Sequence, residues 1–248
     1  MALVPLLVPR SGGGAADAAP APTAWSIAHP LLAPGGLPIG THTTVLRLAD
    51  GSLLLHSPGA LSPADVAEIS ALGDVSVIFV PNREHTLFAA AARAAFPRAE
   101  VHAPASLAAS AKLGGPVRAH AAAGSGAQRP FGEGLFALTV EGAPRLDETV
   151  LVHAASGMLV TADLVFHLVD LPPSFGASVL RWVGSAGFFG PTGLAKLAFF
   201  SDKAAVRRSV EQLLELPFDG VGVCHGSPLL GGAKPALQQA FASFPAPK

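Results

Sequence analysis

The sequence predicts an α/β fold, a four-layer αββα sandwich in which two sheets pack face to face with helices outside. Hairpins alternate with strand–helix–strand units in both halves of the chain. The length of 248 residues and the 50% hydrophobic content fit one large domain better than two small ones. We therefore expect one domain over residues 25–248. Residues 1–24, which are small and rich in Pro and Gly from position 11, are expected to form a disordered lead-in.

The first half of the domain has clear start and stop signals. Asp50-Gly51 predicts a tight hairpin between two strands, and Ser62 predicts a helix that ends at Gly73. The unbroken apolar run Val75–Val80 predicts a strand that is buried on both faces. The predicted elements are strands at 43–48, 52–56, 75–80 and 99–102, and helices over 63–72 and 86–95.

The second half continues the same alternation. Strands are predicted at 135–140, 149–153, 158–162 and 221–224, and a helix over 205–216. Residues 112–130 are expected to be loop or short helix. Residues 164–200 mix Pro, Gly and large apolar groups without a clean period, and we expect a helical insertion or lid that lines a pocket or packs as an ordinary outer layer.

Composition excludes several classes of partner. Charged residues make up only 13% of the chain and the net charge is −1, so we expect no nucleic acid and no anionic membrane as partner. The mean hydropathy of +0.47 comes largely from Ala, and no run of about 18 apolar residues lacks a breaker or a charge, so membrane insertion is not expected. Pro5 and Pro9 interrupt the apolar start, so a cytoplasmic location is expected. The partner that we expect is therefore a small-molecule substrate.

Polar residues follow three of the predicted strands. Glu84 and His85 follow the predicted strand at 75–80, Asp163 follows the strand at 158–162, and His225 follows the strand at 221–224. Two imidazoles with one or two carboxylates make a nitrogen and oxygen site for zinc, iron or manganese. A cation held there would lower the pKa of its water towards about 7 and supply a hydroxide nucleophile.

Each of these residues also has an ordinary alternative when it is taken alone. His85 fits the first turn of a helix, Asp163 fits a cap, and His225 before a glycine fits a turn. Their common position after apolar strands is what favours a site. Two other residues are predicted to be structural: Ser57 before a proline as a turn residue, and Cys224 as a core residue, because it should face away from His225.

Four segments carry a family resemblance: DGSLLLHSP at 50–58, VPNREH at 80–85, TADLVF at 161–166, and LLELPFDGVGVCHGSPL at 213–229. Together they resemble the metallo-β-lactamase-like hydrolase superfamily, especially a divergent branch that carries a domain of unknown function. The resemblance covers the chain from about Trp25. It implies the αββα sandwich of that superfamily and a metal-dependent hydrolytic activity.

The resemblance also implies an incomplete metal site. The superfamily binds two metals through H-x-H-x-D-H, a later His, a bridging Asp and a final His. VPNREH places Val80 and Asn82 at the first two His positions, and no His stands at 145–148, where the later His should fall. The four remaining ligand positions match Glu84, His85, Asp163 and His225. The resemblance therefore implies one metal ion at most, zinc first, with iron or manganese as alternatives.

Two further residues are candidates for chemistry beside Asp163. Glu148 or Asp147, near the missing His, could act as a general base, or be a surface residue at the start of a strand. Asn82 could donate a hydrogen bond to a substrate carbonyl, or cap the following helix.

Three functions remain open on the sequence alone. The first is a hydrolase that acts on an ester, lactone, thioester or similar acyl substrate. The second is a non-catalytic protein of the same fold that binds a small molecule. The third is an oxidoreductase with a single iron.

Overall fold

The computed structural model describes residues 2–6, 21–33, 35–171, 173–182 and 185–247. Its strands are β1 (Val4–Pro5), β2 (Ala24–His29), β3 (Leu32–Ala33), β4 (Leu37–Pro38), β5 (Thr41–Arg47), β6 (Leu53–His56), β7 (Val75–Phe79), β8 (Glu100–Ala103), β9 (Arg118–Ala119), β10 (Leu135–Thr139), β11 (Thr149–His153), β12 (Met158–Thr161) and β13 (Gly220–Val223). Its α-helices are α1 (Pro63–Leu72), α2 (Ala89–Ala95), α3 (Phe175–Trp182), α4 (Gly193–Ala198), α5 (Lys203–Leu214) and α6 (Ala233–Phe241).

Two sheets carry the fold. The first has the order β1-β2-β5-β6-β7-β8-β9, and the second has the order β10-β11-β12-β13. In the first sheet β6, β7, β8 and β9 pair in parallel, and in the second β12 pairs in parallel with β13. The carboxyl ends of β7, β12 and β13 are therefore available for a shared site, as is usual where parallel strands end.

Three apolar clusters define four layers. Between the sheets, Leu54 and Phe79 of the first sheet pack with Leu151 and Val160 of the second. Outside the first sheet, Ile69 of α1 and two alanines of α2 pack on strand residues. Outside the second sheet, residues of α5 and α6 pack in the same way. The predicted four-layer αββα sandwich is confirmed.

The local signals explain where the elements begin. Ser62 and Asp65 form a reciprocal capping box at the start of α1, with Pro63 at the first helical position. Asp202 caps α5 by accepting a hydrogen bond from the Ala205 amide. The predicted helix over 205–216 is thus present, but it begins and ends two residues earlier than expected.

The lead-in differs from the expectation. Val4 and Pro5 pair with Ser26 and Trp25, and Leu6 is only 2% exposed. Residues 4–6 and 24 are therefore part of the folded domain, because an edge position on the first sheet satisfies their backbone and buries Leu6. Residues 7–20 of the predicted lead-in lie outside the described part of the chain.

The longest elements that were not predicted outside the insertion are β2 and α6. β2 lies before the first predicted strand, and its side chains are mostly buried, with β1 and β5 as its neighbours in the sheet. α6 was missed because Pro235 interrupts its pattern. This proline occupies the third helical position, where the missing N–H costs nothing because first-turn amides have no partner within the helix.

The insertion at 164–200 contains two short helices, α3 and α4. Leu180 of α3 packs with Leu168 and Ala186 in a small apolar cluster that also includes Leu37 of β4. The insertion therefore packs beside the β3–β4 hairpin. Among the described residues, no helix has the length and apolar character that crossing a membrane would need.

The contact between the two sheets predicts a large stability difference between two leucines. Leu54→Ala removes a fully buried side chain from the inter-sheet cluster and is expected to lower the free energy of unfolding by about 2–5 kcal/mol. Leu230→Ala, at a side chain that is 39% exposed, is expected to cost less than about 1 kcal/mol. Urea titration followed by circular dichroism measures both, and equal losses would contradict the layer assignment.

Candidate metal centre

Three chain segments meet at the edge where the parallel strands end. Thr161 of β12 pairs with Val223 of β13, so Asp163 and His225, each two residues later, leave the sheet side by side. His85 arrives from the loop that follows β7. The nearest ligand atoms of His85, Asp163 and His225 lie within 4.8 Å of one another.

The loop that carries His85 is held by Asn82. Its Oδ1 accepts hydrogen bonds from the backbone amides of Glu84 (2.9 Å) and His85 (3.0 Å). This side-chain cap stabilises a turn, so α2 begins at Ala89 and not at Thr86, as the sequence pattern predicted. The predicted capping role of Asn82 is present, although the structure it caps is the turn before the helix.

Asp163 is the centre of the cluster. Its Oδ2 lies 3.1 Å from Nε2 of His85, and its Oδ1 lies 3.5 Å from Nε2 of His225. All three side chains are largely buried: that of Asp163 is 11% exposed, that of His85 is 9% exposed and that of His225 is 4% exposed. The imidazole rings of the two histidines are 5.3 Å apart between centroids.

The outer nitrogen of each histidine has its own partner. Nδ1 of His225 lies 2.7 Å from the carbonyl oxygen of Gly40, so it must carry a proton and donate it. A neutral His225 therefore presents an unprotonated Nε2 to Asp163. Nδ1 of His85 lies 2.6 Å from Oγ of Ser57. Partners of this kind set the tautomer and the ring orientation of metal-binding histidines.

These contacts leave two buried hydrogen-bond acceptors, Nε2 of a neutral His225 and the carboxylate of Asp163, facing each other. Nε2 of neutral His225 and the carboxylate of Asp163 both carry lone pairs, and a proton or a cation between them is needed to make their approach favourable. Of the described residues that line the adjoining cavity, none is Lys or Arg. The donor set of two imidazole nitrogens and a carboxylate oxygen fits zinc, iron or manganese.

A second buried carboxylate supports Asp163 from behind. Glu148 accepts hydrogen bonds from the amides of Ala162 and Asp163, both at 2.8 Å. Nδ2 of Asn82 donates to Asp163 at 2.8 Å and to Glu148 at 3.3 Å. The end of β12 is therefore fixed to the start of β11 and to the loop after β7.

The two carboxylates have opposite pKa shifts. Burial, and then the charge of Asp163, raise the pKa of Glu148 to about 7. Burial also opposes the ionisation of Asp163, but the positive charge of a protonated His85 and hydrogen bonds from protonated His225 and His85 outweigh it and hold the pKa of Asp163 below its usual range. Asp163 is thus the anionic member of the pair and the one that faces the cavity.

Three of the four predicted ligands come together, and Glu84 does not. Glu84 lines the same cavity but contributes no ligand atom to the cluster of three. Its side chain is exposed, because the turn that Asn82 caps directs His85 inward and leaves Glu84 at the mouth.

The structure changes the expected positions of Glu148 and Asn82. Glu148 is 1% exposed, so the prediction of a surface residue is wrong. It is not among the residues that line the cavity, and its carboxylate is occupied by backbone amides, which argues against a general base. Asn82 is fully buried with its amide group directed at carboxylates, which argues against a hydrogen bond to substrate. Asp147, the alternative base, accepts a hydrogen bond from Ser106.

Sequence reasoning missed Ser57 as a part of the site. Ser57 is 2% exposed, and its φ of 51° lies in the left-handed region that few residues other than glycine adopt. Unusual backbone of this kind is concentrated at functional sites. No signal in the sequence marks it, since Ser before Pro is also common in plain turns. Cys224, in contrast, is fully buried as predicted, with its sulfur 3.9 Å from Nδ1 of His56.

A cavity of about 390 Å³ opens beside the cluster. Phe166 forms one wall and stacks on the ring of His225, with centroids 5.0 Å apart. Most of the remaining wall is apolar and comes from the β3–β4 hairpin and from α3 and α4, for example Leu31, Leu37, Leu180 and Leu194. The insertion at 164–200 therefore lines a pocket, which is one of the two alternatives that the sequence left open.

Known structures share this architecture at low sequence identity. A metallo-β-lactamase from Hirschia baltica matches 91% of this chain and 95% of its own, with a TM-score of 0.60 and 15% identity. One from Erythrobacter litoralis, with beta mercaptoethanol in its active site, matches 96% of this chain and 100% of its own, with a TM-score of 0.60 and 16% identity. The Flv1 flavodiiron core from Synechocystis matches 89% of this chain but 59% of its own, with a TM-score of 0.56 and 11% identity.

Sequence comparisons add nothing to this. No protein-family model matches the chain, and no curated protein matches it. The shared architecture defines the chain as a protein of metallo-β-lactamase fold.

The position of Glu148 predicts a stability effect. Glu148→Gln removes acceptor capacity from a buried group that receives three hydrogen bonds, and the expected loss in the free energy of unfolding is about 1–3 kcal/mol. Glu133→Gln makes the same change at an exposed position and is expected to have an effect below about 0.5 kcal/mol. Denaturant titration compares the two variants. An unchanged stability for Glu148→Gln would mean that these hydrogen bonds are dispensable.

Proposed function

We propose that this protein is a hydrolase that uses one divalent metal ion to cleave an ester, lactone, thioester or similar acyl substrate. The observation that carries the proposal is the buried cluster of His85, Asp163 and His225, whose side chains line an otherwise largely apolar cavity. The shared fold with metallo-β-lactamases supports it.

The residues of the chain have distinct roles in this proposal. His85, Asp163 and His225 would hold the metal, with the Nε2 atoms of the two histidines and the carboxylate of Asp163 as the available donors. When bound, the metal supplies a water of lowered pKa as nucleophile near neutral pH and polarises the acyl carbonyl. Ser57 and the Gly40 carbonyl orient the two rings, and Asn82 and Glu148 fix Asp163. The apolar wall excludes water from the rest of the cavity.

The surroundings of the cluster support one metal and not two. Val80, at a position where the resemblance implies a histidine, is fully buried in the outer core of the first sheet. Asn82, at the second such position, donates its amide hydrogen to Asp163 Oδ2. That hydrogen bond uses the side of the carboxylate that a bridging second metal would need.

A second candidate function is redox chemistry on a single iron. Two histidines and one carboxylate are also the ligands of non-haem iron enzymes, and a flavodiiron core is among the structures of the same fold. Zinc in the purified protein favours hydrolysis, and iron favours the redox function. Failure to bind any metal leaves a third possibility, a small-molecule binding protein without catalysis.

The metal content of the purified protein tests the main proposal. We expect about one equivalent of zinc per chain, and hydrolysis of p-nitrophenyl acetate that depends on it. His225→Ala is expected to lose both, because it removes one of three ligands. His102→Ala, at a histidine outside the cluster, is expected to keep both. Emission spectrometry and a colorimetric assay give the readouts, and a His225→Ala protein that retains stoichiometric metal would rule the site out.

The outer contacts of the cluster generate a second test. Ser57→Ala leaves all three ligands in place but removes the partner of His85 Nδ1, and the expected result is a metal affinity that is lower by about 10-fold to 100-fold. Glu84→Gln is expected to leave the affinity unchanged, since Glu84 lies outside the cluster. Competition with a chromogenic chelator measures both variants. Loss of metal in Glu84→Gln would identify Glu84 as a fourth ligand.

A further inference from the structure

The apolar cavity has one chemical character throughout, apart from the metal cluster. Its walls include Leu31, Leu37, Phe166, Leu180 and Leu194, and the charged groups at its polar end are acidic or imidazole. An anionic group placed in this cavity would lose its hydration without a fixed cation to replace it. The cavity therefore suits an uncharged apolar group.

A second depression of about 420 Å³ lies next to it and has the opposite character. We call it the basic groove; it is lined by Arg83, Lys112 and Arg145, by the hydroxyl-bearing Thr86 and Ser110, and by Leu107. Glu84 and Phe199 line both the cavity and the basic groove, so the two spaces adjoin at the mouth of the metal cluster.

The three cations of the basic groove are not neutralised by ion pairs. Among the described residues, no carboxylate lies within salt-bridge distance of Arg83, Lys112 or Arg145, whereas Arg98, Arg118, Arg207 and Arg208 each pair with an acidic side chain. With Glu84 counted, the basic groove carries three cations against one carboxylate, although the chain as a whole has 16 Lys and Arg against 17 Asp and Glu. Such a set attracts a phosphate or a similar anion.

The basic groove is also fixed relative to the metal cluster. The amide of Arg83 donates to the carbonyl oxygen of Leu146 at 3.1 Å, which holds the loop that carries His85 against the turn that carries Arg145. Arg83 and Arg145 thus belong to segments that are tethered to each other and to the loop that carries His85.

We propose that the substrate is an ester or thioester that joins an apolar group to a phosphorylated group, with the apolar group in the cavity and the phosphate in the basic groove. This inference rests on the proposed hydrolase function. Glu84 lines both spaces and directly precedes His85, so the bond between the two groups would then lie beside the metal cluster. Hydrolysis adds water across this bond: the acyl carbon gains the hydroxyl group, and the leaving oxygen or sulfur gains the proton.

Binding of stable analogues tests the two halves separately from turnover. S-decyl-coenzyme A is a thioether that cannot be hydrolysed and carries both halves. S-methyl-coenzyme A lacks the apolar chain, and S-decyl-N-acetylcysteamine lacks the phosphates. Isothermal titration of the metal-loaded protein is expected to show the tightest binding for S-decyl-coenzyme A. S-methyl-coenzyme A, which lacks the decyl chain, is expected to bind more weakly by about 100-fold or more. Loss of the phosphates is expected to weaken binding by about tenfold or more.

Matched variants locate the two halves. Leu194 and Leu197 are both exposed leucines of α4, but only Leu194 lines the cavity. Leu194→Ser is expected to lower the affinity for S-decyl-coenzyme A about threefold to tenfold, and Leu197→Ser is expected to leave this affinity unchanged. Arg83→Ala combined with Arg145→Ala is expected to lower the affinity for S-decyl-coenzyme A on the order of tenfold. The effect is expected to be smaller at about 0.5 M salt, because salt screens exposed charges. Arg98→Ala combined with Lys203→Ala removes the same charge elsewhere and is expected to have no effect.

The outcomes separate this inference from the proposed function. Equal affinity for S-decyl-coenzyme A and the analogue without phosphates, or equal loss in both pairs of charge variants, overturns the basic groove as a binding site. Hydrolysis of p-nitrophenyl acetate would then still stand as support for the hydrolase. The expected binding pattern without hydrolysis of decanoyl-coenzyme A by metal-loaded protein keeps the two-part binding site and rejects the hydrolase function.

Discussion

The hydrogen bond from the Asn82 amide to Asp163 is the contact on which the open edge of the sandwich depends. At 2.8 Å it joins the loop after β7 to the end of β12, and the other end of the same side chain caps the turn that carries His85. Glu148 completes the arrangement by accepting from the amides of Ala162 and Asp163. One amide side chain and one carboxylate thus position a second carboxylate between two imidazoles.

This arrangement concentrates negative charge in a buried place. Glu148 is stabilised by backbone amides and has a pKa that burial raises, whereas Asp163 is held ionised by the two facing rings. When His225 is neutral, lone pairs from His225 and Asp163 converge without a Lys or Arg in the described wall of the cavity. A metal ion would relieve that unfavourable approach, and Asn82 donates a hydrogen bond to one oxygen of the same carboxylate.

Much of the fold could be predicted from local patterns, and part of the site could too. Asp50-Gly51, the Ser62 cap and the apolar run before Pro81 marked elements that the structure contains. His85, Asp163 and His225 could be grouped because each follows a buried strand. The burial of Glu148 could not be foreseen, because its partners, the amides of residues 162 and 163, are supplied by a different strand. The strand at residues 4–5 was not predicted for the same reason, since it forms by pairing with β2.

The sequence by itself determined the α/β class, the position of most elements and the three residues of the cluster, because these depend on periodicity, capping and the order of polar residues after strands. The tertiary structure alone decided which neighbours each polar group meets. It turned Ser57 towards His85, occupied Asn82 and Glu148 with buried hydrogen bonds, left Glu84 at the mouth, and brought Arg83, Lys112 and Arg145 into one groove. The physical reason is that hydrogen bonds and close charge interactions act over a few ångströms in space, whereas Gly40 and His225, for example, are 185 residues apart along the chain.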